Sequence, residues 1–228
     1  MTDTTTGSPL GPLTPDTTTG SPLGPLTPDT TTGSPLGPLT PDTADLDAYL
    51  AADAVIDHRH PEIAALAARL RGADAEATAR AAFAYVRDEI DHSADIGVWS
   101  AAYRASDVLA RGNGICHAKS HLLAALLRAN GIPAGLCYQK LEVLHGLNAV
   151  YWPETGQWVR LDARGNRNGA DGRFATVPEE ERTAWADDPA QGDHHYTTVY
   201  AAPPADLLAG LARAREDVAG FDYLPAEL

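Results

Sequence analysis

Cysteine is nearly missing from this sequence: its 228 residues include two, Cys116 and Cys137. Two cysteines cannot build a disulfide framework, and no CxxC pair offers a zinc site or a dithiol redox centre. They read instead as reduced thiols of a cytoplasmic protein. Positive charge is scarce as well, with 17 Lys and Arg against 31 Asp and Glu and a net charge of −14. Four of the acids lie in the first 42 residues, which hold no basic residue, so Thr43–Leu228 still carries −10. Such a surface repels a phosphate backbone and excludes nucleic acid as the expected partner. Long apolar runs are absent too. No stretch reaches membrane-spanning length and no basic segment leads into an apolar one, so neither a membrane partner nor a signal peptide is expected.

What is present falls into two parts. Residues 3–41 are three identical copies of DTTTGSPLGPLTP. The segment is rich in Thr, Pro and Gly, has no aromatics, and offers Leu as its one large apolar side chain. It cannot bury enough surface to offset its ordering entropy. The expectation is a disordered tail over residues 1–43, removable without loss of activity, ahead of one domain at 44–228.

From Asp45 the composition turns to Ala, Leu and charge. Helices are expected at Asp45–Ala54, from Pro61 with Ile63, Leu66, Ala67 and Leu70 on one stripe, and after a cap at Asp74. The third turns Ala79, Ala82, Phe83, Val86 and Ile90 inward. Residues 92–103 read as irregular, with a helical turn near Ser106–Arg111. Then comes RGNGICHAKSHLLAALLRANGIPAG, residues 111–135: a Gly-flanked turn, a cysteine, a helix apolar nearly all round, and a stop at Asn-Gly-Ile-Pro. A period of two follows. Strands are expected at Ala134–Leu141, His145–Trp152 and Gln157–Asp162, with turn residues at 153–156. Beyond a Gly- and Asn-rich loop at 164–173, a short helix is expected near Glu179–Trp185, a strand at Tyr196–Tyr200 and a last helix at Pro204–Arg213. Helices first and antiparallel strands after make an α+β plan.

Cys116 is the residue with chemical promise. A thiol at the start of a buried helix sits where unpaired N–H groups and the helix dipole favour negative charge, and the thiolate is the reactive species. The hairpin supplies partners. If Trp152 pairs with Gln157 across the four-residue turn, Leu147 lies opposite Asp162, and His145 shares the face of Leu147. His145 and Asp162 then become diagonal neighbours with backbones roughly 7–8 Å apart, in reach of an imidazole–carboxylate bond. A one-residue slip would put them on opposite faces. The roles follow: Cys116 as nucleophile, His145 as its base, Asp162 orienting the ring. The backbone N–H of Cys116 is a natural oxyanion donor. Trp99 and Tyr103 are candidates for a second. The substrate implied is a peptide or another amide, attacked to give a Cys116 thioester.

The runs GNGICHAKSHLLAALLRANGIPAG, LHGLNAVYW and WVRLDARGN together resemble the bacterial transglutaminase-like superfamily. The resemblance covers about residues 45–205. It implies a papain-like core and a Cys-His-Asp triad in that chain order, carried here by Cys116, His145 and Asp162. Bacterial members include peptidases, amidases and acyl-transfer enzymes. Nothing resembles the calcium sites or added β-domains of animal cross-linking transglutaminases, nor the zinc-binding CxxC pairs of peptide N-glycanases.

Other constellations carry less. His117 and His121 have the i, i+4 spacing of a zinc pair, but HAKSH lacks the Glu of HExxH and no third ligand presents itself, so no metal or cofactor is expected. Asp193-His194-His195 forms a second polar cluster. Lys119 should share a helix face with the thiol. Arg164, Asn166 and Arg167 could line the cleft and meet an anionic group. Cys137 reads as core. The leading expectation is a thiol hydrolase or acyltransferase. The alternative is a non-catalytic module that keeps the fold to bind a peptide or partner.

Overall fold

The structure, a computed structural model, describes residues 34–214, 216 and 218–228. In chain order its elements are β1 (Thr40–Pro41), α1 (Pro61–Leu70), α2 (Ala75–Glu89), β2 (Asp91–His92), α3 (Ser93–Ile96), α4 (Ala105–Arg111), β3 (Asn113–Gly114), α5 (Cys116–Ala129), β4 (Ala134–Lys140), β5 (Leu144–Trp152), β6 (Gln157–Leu161), β7 (His194–His195), β8 (Thr198–Val199) and α6 (Ala205–Leu211). The plan is α+β. Strands β6, β5, β4 and β7 form one antiparallel sheet in that order.

Helix α5 is the hub. Its residues from Cys116 to Arg128 are all buried, as the near-continuous apolar sequence demands. It packs against α1, α2 and α4 on one side and against β4 and β5 on the other. The stripes read from the sequence face it: Ile63, Leu66 and Ala67 from α1, and Ala79, Ala82, Phe83 and Val86 from α2, join its leucines in one core. Asp74 caps α2 by accepting from Ala77 N at 2.7 Å. Gly131, at φ 75°, lets the chain turn out of α5 into β4.

The hairpin register is the expected one: Trp152 pairs with Gln157 and Asn148 with Leu161. Elsewhere the structure differs from the sequence reading. The helix expected at Asp45–Ala54 is a single 3-10 turn, Leu46–Tyr49, because Tyr49 is its one buried residue and no apolar stripe holds a longer helix on the core. Residues 92–103 are not wholly irregular, since β2 pairs with β3 and α3 follows. The helix expected near Glu179–Trp185 is only a 3-10 turn at Pro178–Glu180. Beyond it the side chain of Glu181 accepts from Arg160 N, and Ala184 N donates to Asp162, which holds the chain extended. The expected strand at 196–200 is shortened to β8, which pairs with β1, and β7 before it pairs with β4.

The disorder expected for residues 1–43 needs correction at its end. Residues 1–33 lie outside the described residues. Residues 34–43 are held on the domain. Thr40 and Pro41 pair in parallel with Thr198 and Val199. The Ser34 hydroxyl donates to Glu181, and Gly37 O accepts from Arg160 Nη1 at 2.9 Å. Asp42 accepts from the Tyr49 hydroxyl at 2.6 Å. A sheet edge and a buried Arg160–Glu181 ion pair supply the backbone and side-chain partners that composition could not foretell.

Candidate active site

Helix α5 starts without a side-chain cap. Its N-cap residue, Ile115, makes no capping bond, and the first helical bond runs from Lys119 N to Ile115 O. The N–H groups of the first turn therefore converge around Cys116 with no acceptor from their own helix. Gly114 allows the tight entry: a Cβ there would lie 2.8 Å from Ala118 Cβ.

Strand β5 runs up to the same point. Gly146 N donates to Cys116 Sγ at 3.4 Å, and His117 Nδ1 lies 3.4 Å from the sulfur on another side. His145 Nε2 donates to Asp162 Oδ2 at 2.8 Å, which leaves its Nδ1 to serve Cys116. Asp162 is fixed from two further directions. Ala184 N donates to Oδ2 at 2.7 Å and Arg164 N to Oδ1 at 3.0 Å. The three residues named from the sequence are thus brought together. They are also enclosed, with Cys116, His145 and Asp162 only 7%, 4% and 1% exposed.

The charges follow from this packing. Burial pushes the Cys116 thiol up, but the His117 and His145 imidazoles outweigh it and hold the thiol well below its usual range. Burial lowers His145, yet the Asp162 carboxylate and the sulfur more than reverse that, and the imidazole is raised to about 10. Burial likewise raises Asp162, but His145 and the two backbone N–H donors leave it below the usual carboxylate range. The stable arrangement is a thiolate, an imidazolium and a carboxylate in line.

Sequence reasoning missed three contributors. His92 reaches the sulfur region because β2 pairs with β3, setting His92 beside Gly114; burial lowers this imidazole, with the nearby sulfur opposing. Gly146 and Ala184 act through backbone N–H groups, which leave no mark in a sequence. The other candidates have different employment. Trp99 packs edge-on against Phe221 at 5.2 Å between ring centroids, and Tyr103 gives its carbonyl to His121 Nδ1 at 2.7 Å.

The zinc-like spacing of His117 and His121 is used otherwise: His117 stacks on Tyr138, and burial drives His121 down to about 4. Among the described residues no three His, Cys, Asp or Glu are grouped to hold a metal. Lys119 donates to the carbonyls of Ile90 and Arg87, closing the C-terminal end of α2. Arg164 is taken by Asp95 through two bonds, and Arg167 by Asp91. His195 pairs with Asp187 at 2.9 Å. Cys137 is core, its thiol pushed up to about 12 by burial. No helix among the described residues is long and apolar enough to cross a membrane.

Residues 64–163 match the profile of the transglutaminase-like superfamily. The chain carries a transglutaminase-like core. The matched span opens in α1 and takes in Cys116, His145 and Asp162. No curated protein matches the sequence. Solved structures similar to this chain include a candidate cysteine protease from Cytophaga hutchinsonii, at 16% identity, TM-score 0.45, over 67% of this chain and 63% of that one. Another is the periplasmic domain of TgpA from Pseudomonas aeruginosa, at 22% identity, TM-score 0.41, over 53% of this chain and 48% of that one. Likeness at this level carries no weight for activity.

Proposed function

We propose that this protein is a thiol enzyme that cleaves or transfers the acyl group of an amide through a thioester on Cys116. The observation that carries the reading is the 2.8 Å bond from His145 Nε2 to Asp162, behind a sulfur that β5 also touches. His145 takes the thiol proton, and the sulfur adds to the amide carbonyl carbon. The Cys116 N–H, at the uncapped start of α5, faces the oxygen as it becomes negative. The C–N bond then breaks, and the imidazolium gives its proton to the leaving nitrogen. Water or an amine attacks the thioester next, passing a proton to His145, and the sulfur leaves to restore the starting pair.

His117 also lies near the sulfur, but no carboxylate orients it, and its Nε2 has no partner among the described residues. That favours His145 as the base. Hydrolysis is preferred over transfer, because water is always present and no amine site is recognisable. The test is intact mass after exposure to iodoacetamide at pH 6. Cys116 should label selectively, and His145→Ala should abolish the selectivity. Labelling no faster than that of Cys137 would favour a non-catalytic peptide-binding module instead.

A further inference from the structure

Cys116, His145 and Asp162 are enclosed. Residues 218–228, which follow α6, reach elements on both sides of the site. Phe221 packs edge-on against Trp99, in the loop that precedes α4. That loop borders the nucleophile: Val98 O accepts from Asn113 Nδ2 at 2.6 Å, three residues before Cys116. At the far end, Glu227 approaches Lys140 Nζ at 3.4 Å, and Leu228 N donates to the Tyr196 hydroxyl at 3.2 Å. Lys140 ends β4 next to Gln139, the strand partner of His145. One end of the segment therefore rests on the cysteine side of the site and the other on the histidine side.

Between these anchors Tyr223 and Leu224 pack against the main core. Tyr223 O accepts from Arg213 Nη2 at 2.9 Å, and its backbone lies so close to α6 that a Cβ on Gly210 would meet Tyr223 O at 2.5 Å. Burial raises the Tyr223 hydroxyl to about 12, and the Cys116 charge adds to the rise.

We propose that residues 218–228 occupy the groove an acyl substrate must enter, so that the groove takes an extended peptide with an aromatic side chain against the Trp99 wall. This rests on the thiol-enzyme reading. The segment acts as an internal occupant: two aromatics one residue apart, Phe221 against the Trp99 wall and Tyr223 against the main core, flanked by acids. A substrate must displace it, and one presenting an aromatic residue in an acidic context competes best.

The experiment uses the full chain and follows iodoacetamide labelling of Cys116 by intact mass, with Cys137 as the reporter of global opening. Phe221→Ala, which removes the aromatic anchor, should label Cys116 about tenfold faster than the parent, in keeping with the loss of one aromatic pair and its buried area. Glu227→Lys, which turns the Lys140 contact repulsive at the exposed end, should accelerate it in the same direction and decides the matter if Phe221→Ala exposes Cys137. Added peptide GFDYLPAEL should slow labelling of either variant, and GSDSLPAEL should not. Variants labelling no faster than the parent, or indifference to the aromatic peptide, would overturn the proposal. Fast parent labelling that depends on His145 but not on these variants would overturn the internal occupant alone. Variants that open Cys116 with no dependence on His145 would overturn the thiol-enzyme reading alone.

Discussion

Gly146 N donates to Cys116 Sγ at 3.4 Å, so β5 meets α5 one residue beyond the histidine that serves the sulfur. Only glycine permits the approach. A Cβ at 146 would lie 2.8 Å from His117 Cδ2 and 3.1 Å from its Cα. Gly146→Ala is expected to push β5 off α5, costing about 1–3 kcal/mol of stability as overpacking does. Cys116 should lose its fast labelling by more than the stability loss explains. Urea unfolding and iodoacetamide kinetics on the same variant check both.

Asp162→Asn keeps the shape of the side chain and removes its charge. The imidazole raised to about 10 should then fall, and the thiol it stabilises should rise. In the parent, the lowered thiol should make labelling fall less between pH 8 and pH 6 than it does for an ordinary cysteine. In Asp162→Asn the pH 6 rate should drop by about tenfold or more, because the thiolate fraction at a fixed pH falls about tenfold for every whole step by which the thiol pKa climbs above it. Turnover, once a substrate is in hand, should fall by on the order of a thousandfold. An unchanged pH profile would remove the orienting role.

His121 should make the fold acid-sensitive. Its folded value is depressed to about 4 by burial, against 6.5 unfolded. Between those values the unfolded chain binds a proton that the folded chain refuses, so stability is lost as pH falls from 6.5 toward 4. The loss is of the order of 3 kcal/mol at most. Urea unfolding at pH 7.5 and pH 4.5 measures it, and His121→Leu should flatten the difference.

The Arg160–Glu181 pair predicts what the repeats contribute to the domain. Ser34 and Gly37, in the third copy, bond to these two buried charges. Deleting residues 1–28 leaves that copy whole, whereas deleting 1–41 strips the pair of both partners and β8 of its strand. The longer deletion should lower the melting temperature by several degrees relative to the shorter. Glu181→Ala should cost about 3–5 kcal/mol by leaving Arg160 buried and unpaired. Equal melting temperatures for the two deletions would show that the docked copy contributes nothing.

The sequence by itself determined the α+β order, the burial of α5 and the facing of His145 and Asp162. The first two rest on apolar periodicity and on Gly and Pro stops, and the third on a turn whose length sets strand register. These are local rules, legible in neighbouring residues. It did not reveal His92 beside the sulfur, the Gly146 and Ala184 N–H donors, the docking of residues 34–43, or the packing of Phe221 on Trp99. Each of those joins residues dozens of positions apart, often through backbone groups that every residue carries. Only the tertiary structure decides such contacts, because backbone donors, sheet edges and buried charges take whichever partners the finished packing brings within reach.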